Sequence, residues 1–235
     1  MRAVGRRREP IYALAKLVVP PVIRFWVRLD CQGVASIPPR GPVIIAANHV
    51  SYFDPLCLAV CIDAAGRRVR FLAKAELYRN RLLGWVLRAA GQIPVYRETR
   101  DAHQALTDAV AAMREGAAVA IYPEGTTTRN ADFSPMVAKS GVARLAALTG
   151  APVVPVGMWG AHLLFTRGTL GPFRRGIRVV VRAGAPIDLG LDPDAPLAAV
   201  NAGRDKVMAA IAALVEEAKQ GWRPPAWYRR RAGAA

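Results

Sequence analysis

In the run Asn48-His49-Val50-Ser51-Tyr52-Phe53-Asp54 a histidine and a carboxylate stand five positions apart. On an unbroken helix such a pair diverges, because side chains sharing a helical face are three or four apart. The two can meet only if the chain changes form between them, and the flanks supply that change. Val43 to Ala47 is a short apolar run that reads as a buried strand. Asp54-Pro55 reads as an N-cap followed by proline at the first helical position. His49 would then sit at a strand end and Asp54 at the mouth of a helix. An aspartate there can hold one imidazole nitrogen and leave the other to take a proton from a hydroxyl. A turn-capping histidine beside an ordinary N-cap aspartate fits the pair, taken alone, equally well.

Three further blocks follow: Gly91-Gln92-Ile93-Pro94-Val95-Tyr96-Arg97, Tyr122-Pro123-Glu124-Gly125-Thr126 and Val153-Val154-Pro155-Val156. Over roughly residues 30–185 their order and spacing resemble the glycerolipid acyltransferase family, and within it the 1-acylglycerol-3-phosphate acyltransferases, which make phosphatidic acid. Asn48-His49 to Asp54 resembles the family's NHxxxxD block. Gly91 to Arg97 resembles the second block, which ends in a phosphate-binding arginine. Tyr122 to Thr126 resembles FPEGT, with Tyr for Phe, and the strand around Pro155 resembles the fourth block. The family shows Arg-Ser after Gly-Thr, where this chain has Thr127-Thr128 and then Arg129. The resemblance implies no metal or other cofactor, and an acyl thioester of coenzyme A or acyl carrier protein as donor.

Acyl transfer to an alcohol needs a base for the hydroxyl, a stabiliser for the oxyanion and a grip on the acceptor. His49 is the base candidate and Asp54 the group that orients it. Ser51 is a candidate nucleophile by residue type, but no GxSxG elbow exposes it, and an activated thioester needs no acyl-serine. A phosphate on the acceptor suits a planar guanidinium, which the resemblance assigns to Arg97. Lys74 closes the apolar run Val69-Arg70-Phe71-Leu72-Ala73 and points to the same region. Gly125 permits a tight turn, and Thr126 with nearby backbone N–H groups can hold phosphate or the acceptor hydroxyl. Glu124 would repel a phosphate, so it is expected to bind a glycerol hydroxyl or to fix basic residues. Asn48, Arg129 and Lys139 are outer candidates. His103 and His162 fall in stretches that read as structural. No His/Glu spacing suits a metal, and no phosphate-binding glycine loop appears.

With 235 residues and 53% apolar content the chain can build one α/β domain and is not disordered. A net charge of +16 calls for an anionic partner, either nucleic acid or an anionic membrane surface. Arginine supplies most of the 33 basic residues; the lysines are 16, 74, 139, 206 and 219. Cys31, Cys57 and Cys61 make neither a CxxC pair nor an even set, which predicts buried free thiols and a reducing, cytosolic-facing compartment.

Strand-like runs near 28–34, 43–47, 68–73, 92–96, 117–122, 152–157 and 177–183 alternate with helical stretches. This predicts a single layered α/β domain with a mixed, largely parallel sheet of about seven strands. Helices are expected over Pro55–Asp63, Arg81–Ala90, Arg100–Arg114, Ser140–Leu148 and Ala195–Gln220. The N-terminal segment 1–29 has a basic start, short apolar runs and Pro20-Pro21 in its middle. It reads as two amphipathic helices lying in a membrane interface, not as a span or a signal peptide. The acyltransferase domain would cover 30–220, and 221–235 would form a basic, aromatic, unpacked tail.

The expectation is therefore a peripheral or monotopic enzyme at the cytoplasmic face of the cell membrane. It would acylate the free hydroxyl of 1-acyl-sn-glycerol 3-phosphate (lysophosphatidic acid). The rivals are the same chemistry on glycerol 3-phosphate or another lysophospholipid, an acyl hydrolase, and a non-enzymatic nucleic-acid-binding module. The basic residues are too scattered to favour the last.

Overall fold

The computed structural model describes residues 9–95, 101–166, 169–170 and 175–223. In chain order the elements are α1 (Glu9–Trp26), β1 (Val27–Gln32), β2 (Val43–Ala47), α2 (Asp54–Ala64), β3 (Val69–Lys74), α3 (Arg81–Ala89) and β4 (Ile93–Val95). Then come α4 (Asp101–Arg114), β5 (Ala118–Ile121), α5 (Gly141–Thr149), β6 (Val153–Trp159), β7 (Phe165–Thr166), β8 (Thr169–Leu170), β9 (Ile177–Ala183) and α6 (Leu197–Lys219). Seven strands form one sheet in the order β1-β9-β6-β2-β5-β3-β4, and β7 pairs with β8 in a separate hairpin. Within the large sheet every pairing is parallel except β6 with β9.

The central strand β2 explains its own continuous apolar run. Val43, Ile45 and Ala47 face one core layer, which includes residues of α1 and α2. Ile44 and Ala46 face the other, built with α4, α5 and α6. A parallel strand covered on both sides has no polar face to alternate with. Because β2, β5, β3 and β4 are parallel neighbours, their carboxyl ends lie along the same edge of the sheet, and open α/β sheets bind ligands at that edge.

Three expectations are corrected. The N-terminal segment was expected as two helices broken at Pro20-Pro21, but α1 runs through both prolines without a break. A proline's fixed φ is compatible with a helix; what it removes is an N–H donor. Solvent can reach the carbonyl of the exposed Leu17, which loses its partner at Pro21. Ile23, further along, is buried against the core. No helix among the described residues is long and apolar enough to cross a membrane.

The second correction concerns the cysteines. Cys31 on β1 and Cys61 on α2 are joined in a disulfide, with their Cα atoms 5.5 Å apart, and only Cys57 is a free buried thiol. Sequence separation hid the pair, since α2 folds back over the face that carries β1. With two of the three cysteines bonded to each other, the cysteines no longer point to a reducing compartment. Third, Trp222 is not part of an unpacked end. Its indole N–H donates to the Arg178 carbonyl at 2.9 Å, and its ring meets Trp159 edge-on at 6.0 Å.

Candidate active site

His49 follows the end of β2 and Asp54 is the first residue of α2, so the strand-to-helix turn brings the two together. The N-cap is Phe53, one residue earlier than expected, and Pro55 lies inside the first turn. The His49 Nδ1–H donates to Asp54 Oδ2 at 2.9 Å. The same oxygen accepts the backbone N–H groups of Val50 and Ser51, each at 2.7 Å. Asp54 is fully buried. Three donors converge on one carboxylate oxygen, which places a ring proton on Nδ1 and leaves Nε2 as the ring nitrogen that Asp54 does not engage. The other oxygen, Oδ1, is buried without a partner.

The ring of His49 has a floor. Tyr122, in the residue after β5, stacks on it with centroids 4.1 Å apart and planes 20° from parallel. Burial, and then the nearness of Asp54 and Cys57, holds the Tyr122 phenol well above its usual range, so the ring is neutral at any working pH. Nothing in the sequence pairs Tyr122 with His49 directly. The signal is register: Ala46 lies beside Ile121, so the next residues of both strands emerge side by side.

Glu124 is buried, with both carboxylate oxygens occupied. Oε1 accepts the His49 backbone N–H at 3.0 Å, and Oε2 accepts the Met136 N–H at 2.9 Å. Burial raises its affinity for a proton, and the two N–H groups counter that. Glu124 thus ties the β2 turn to the loop over residues 127–140. The Thr128 N–H donates back to the His49 carbonyl at 2.7 Å, closing the same link from the other side.

Gly125 makes the turn after β5 with φ +70°, and its N–H donates to the Tyr122 carbonyl at 2.9 Å. A side chain there would be strained and would also meet the Lys139 stem, 3.4 Å from where its Cβ would lie. Lys139 is exposed, and Thr126 is half-buried beside the turn. Arg129 is exposed and, with Val50, Thr127, Thr128, Asn130, Ala131 and Phe133, lines a hollow of about 410 Å³.

Asn48 is buried in a two-way clamp on β6. Its Nδ2 donates to the Met158 carbonyl at 3.0 Å, and its Oδ1 accepts the Met158 N–H at 2.7 Å. Ser51 is buried; its Oγ donates to the Phe165 carbonyl at 2.6 Å and accepts from the Phe53 N–H. Lys74 ends β3, half-buried and paired in register with Val95. Arg97 lies outside the described residues, two positions beyond the end of β4. His162 is buried among Phe133, Trp159 and Trp222, and burial lowers its pKa to about 4. The side chain of His103 lies outside the described part of α4. Among the described residues no group of three or more His, Cys, Asp or Glu is placed to hold a metal ion.

The chain has relatives among known proteins. A chloroplastic 1-acyl-sn-glycerol-3-phosphate acyltransferase of Brassica napus is 28% identical over 192 residues, 79% of this chain and 54% of that one. The corresponding protein of Borreliella burgdorferi is 32% identical over 171 residues, 71% of this chain and 66% of that one. The chain thus spans about half the length of the plant relative and two-thirds of the bacterial one. In fold it is similar to the crystal structure of the 1-acyl-sn-glycerophosphate acyltransferase PlsC from Thermotoga maritima. That match has a TM-score of 0.71 and 24% identity, covering 95% of this chain and 86% of that one. The Acyltransferase family profile matches residues 28–159, from β1 through β6, more than half of the sequence. That span carries His49, Asp54 and Glu124 on one sheet edge, and the chain belongs to the acyltransferase family.

Proposed function

We propose that this protein moves a fatty acyl group from a thioester of coenzyme A or acyl carrier protein to the free hydroxyl of 1-acyl-sn-glycerol 3-phosphate, giving phosphatidic acid for phospholipid synthesis. The observation that carries the reading is the 2.9 Å contact of His49 Nδ1 with the buried Asp54 carboxylate, which leaves Nε2 as the base. The names of the relatives support the choice of acceptor.

In the step we infer, Nε2 takes the acceptor's hydroxyl proton as that oxygen attacks the thioester carbonyl. The carbon–sulfur bond breaks, and the imidazolium returns the proton to the departing sulfur. Asp54 stabilises the transient cation. Ser51 has no part as a nucleophile, since its hydroxyl is buried and already donated. Lys74 and Arg97 would grip the acceptor phosphate beyond β3 and β4. Glu124 serves by holding the His49 turn, and Thr126 is left to meet the acceptor.

The reading includes attachment to an anionic membrane surface through α1, whose Leu17, Val18, Val22 and Phe25 are exposed while Ile23 is buried. Thiol release from palmitoyl-coenzyme A, with and without lysophosphatidic acid, tests the chemistry. Release that depends on the acceptor is expected. Equal release without acceptor would make the protein a hydrolase, and a panel with glycerol 3-phosphate and other lysophospholipids fixes the acceptor.

A further inference from the structure

Helix α3 turns its smallest residue inward and its largest outward. Gly84 is its buried residue. A Cβ there would lie 2.4 Å from the Tyr78 carbonyl oxygen, so the helix rests closely on the 75–79 turn through that glycine. On the other side Leu82 is 74% exposed and Trp85 52%, with Leu83 and Val86 also exposed. Leu82, Trp85 and Val86 are three and four apart and share one face, and Leu83, three before Val86, widens it on one side. A contiguous apolar face of this kind on a folded domain marks an interaction site.

The rim of the face says what it meets. Arg79 and Arg81 are exposed, and Arg88 lies over the Tyr78 ring at 6.0 Å. The turn and helix together hold a single acidic residue, Glu76. Leucines and a tryptophan bordered by guanidiniums match the acyl boundary and phosphate headgroups of an anionic lipid surface. A second copy of a chain with net charge +16 would bring like charge to the same rim. Helix α3 also begins beyond the carboxyl end of β3, after the 75–79 turn and its N-cap Asn80, on the edge of the sheet that carries His49 and Lys74.

We propose that the outer face of α3 docks on an anionic membrane surface as a second contact, separate from α1, which leads into β1 at the far end of the strand order. It would bring the carboxyl edge of the strands to the plane where a lysophospholipid resides. The placement rests on the proposed function, but docking itself is read without any transfer.

The test is co-sedimentation of the full chain with phosphatidylcholine vesicles containing phosphatidylglycerol. Leu82→Ser/Leu83→Ser/Trp85→Ser should partition at least about tenfold more weakly at both low and high salt. Arg81→Gln/Arg88→Gln should weaken binding at low salt only. Brominated lipid should quench tryptophan fluorescence less in Trp85→Phe, which keeps the apolar surface. Unchanged partitioning of the triple variant, or unchanged quenching in Trp85→Phe, overturns the proposal. So does a wild-type dimer that the triple variant dissociates while still binding vesicles, since the face would then belong to a second copy. A wild type that binds vesicles through α3 yet releases no thiol would sink the transferase reading and leave the docking intact.

Discussion

At the residue scale, the His49–Asp54 pair is held mostly by backbone, which makes it a clean target. His49→Ala leaves the N–H to Glu124 and the carbonyl to Thr128 in place, so the fold should persist. Transfer should fall at least about 10²-fold, the usual cost of losing a general base. A rate within a few-fold of wild type would remove His49 from the mechanism. Asp54→Asn keeps an oxygen for the Val50 and Ser51 N–H groups but carries no charge to stabilise an imidazolium, and it puts an NH2 where Oδ1 has no partner. It should fold less stably and turn over far more slowly, both readable from one preparation by urea titration and thiol release. Arg97→Ala should raise the Michaelis constant for lysophosphatidic acid more than that for the thioester. An unchanged Michaelis constant for lysophosphatidic acid together with unchanged turnover would place the phosphate grip elsewhere, with Lys74 and Arg129 the next residues to change.

At the scale of elements, the two loops over the strand ends are pinned to each other by Glu124. Glu124→Gln must turn its NH2 toward either the His49 or the Met136 N–H, leaving one donor without an acceptor. That should cost about 1–3 kcal/mol in urea unfolding and lower turnover, because the His49 turn loosens. Full activity at unchanged stability would show that the tie is dispensable. A second cluster joins the 127–140 loop, β6 and α6: His162 stacks on Phe133 at 4.4 Å, and Lys219 lies over Trp159 at 4.6 Å. With a folded pKa near 4 and an ordinary unfolded value, His162 is neutral in the fold and takes up a proton on unfolding between about pH 6.5 and 4. Stability is therefore lost as pH falls through that window, by up to about 3 kcal/mol. His162→Phe should flatten the fall; urea midpoints at pH 7 and 4.5 for both proteins decide it. The strands were legible because β2 and β6 are buried on both faces and spell this out in unbroken apolar runs. The His49–Asp54 pair was legible because a strand end and a helix start lie within one short run. Glu124's two backbone partners were not, since one comes from 75 residues away and neither depends on side-chain type. The path of α1 through Pro20-Pro21 was hidden too: local propensity records the missing donors, while the contact of Ile23 with the core is tertiary.

At the scale of the whole molecule, the sheet order gathers the sequence blocks that the chain keeps apart. Placing β5 between β2 and β3 sets Glu124 beside the His49 turn and leaves Lys74 and the end of β4 next in line. A chain with these blocks in other strand orders would hold the same residues and no common edge. The Cys31–Cys61 bond acts on this arrangement differently from any packing contact. It closes a stretch with a sequence separation of 30 that contains β2, His49 and Asp54. A loop of that size restricts the unfolded chain by about 3–4 kcal/mol. The segment carrying His49 and Asp54 is therefore a covalent ring hung on the rest of the chain, and it stays a single connected body even when its backbone is opened. One engineered protease cut beside the exposed Arg40 should give a protein that migrates as one species when denatured without thiol. Added thiol should part it into two fragments, and fragments that separate without thiol would show the ring to be open.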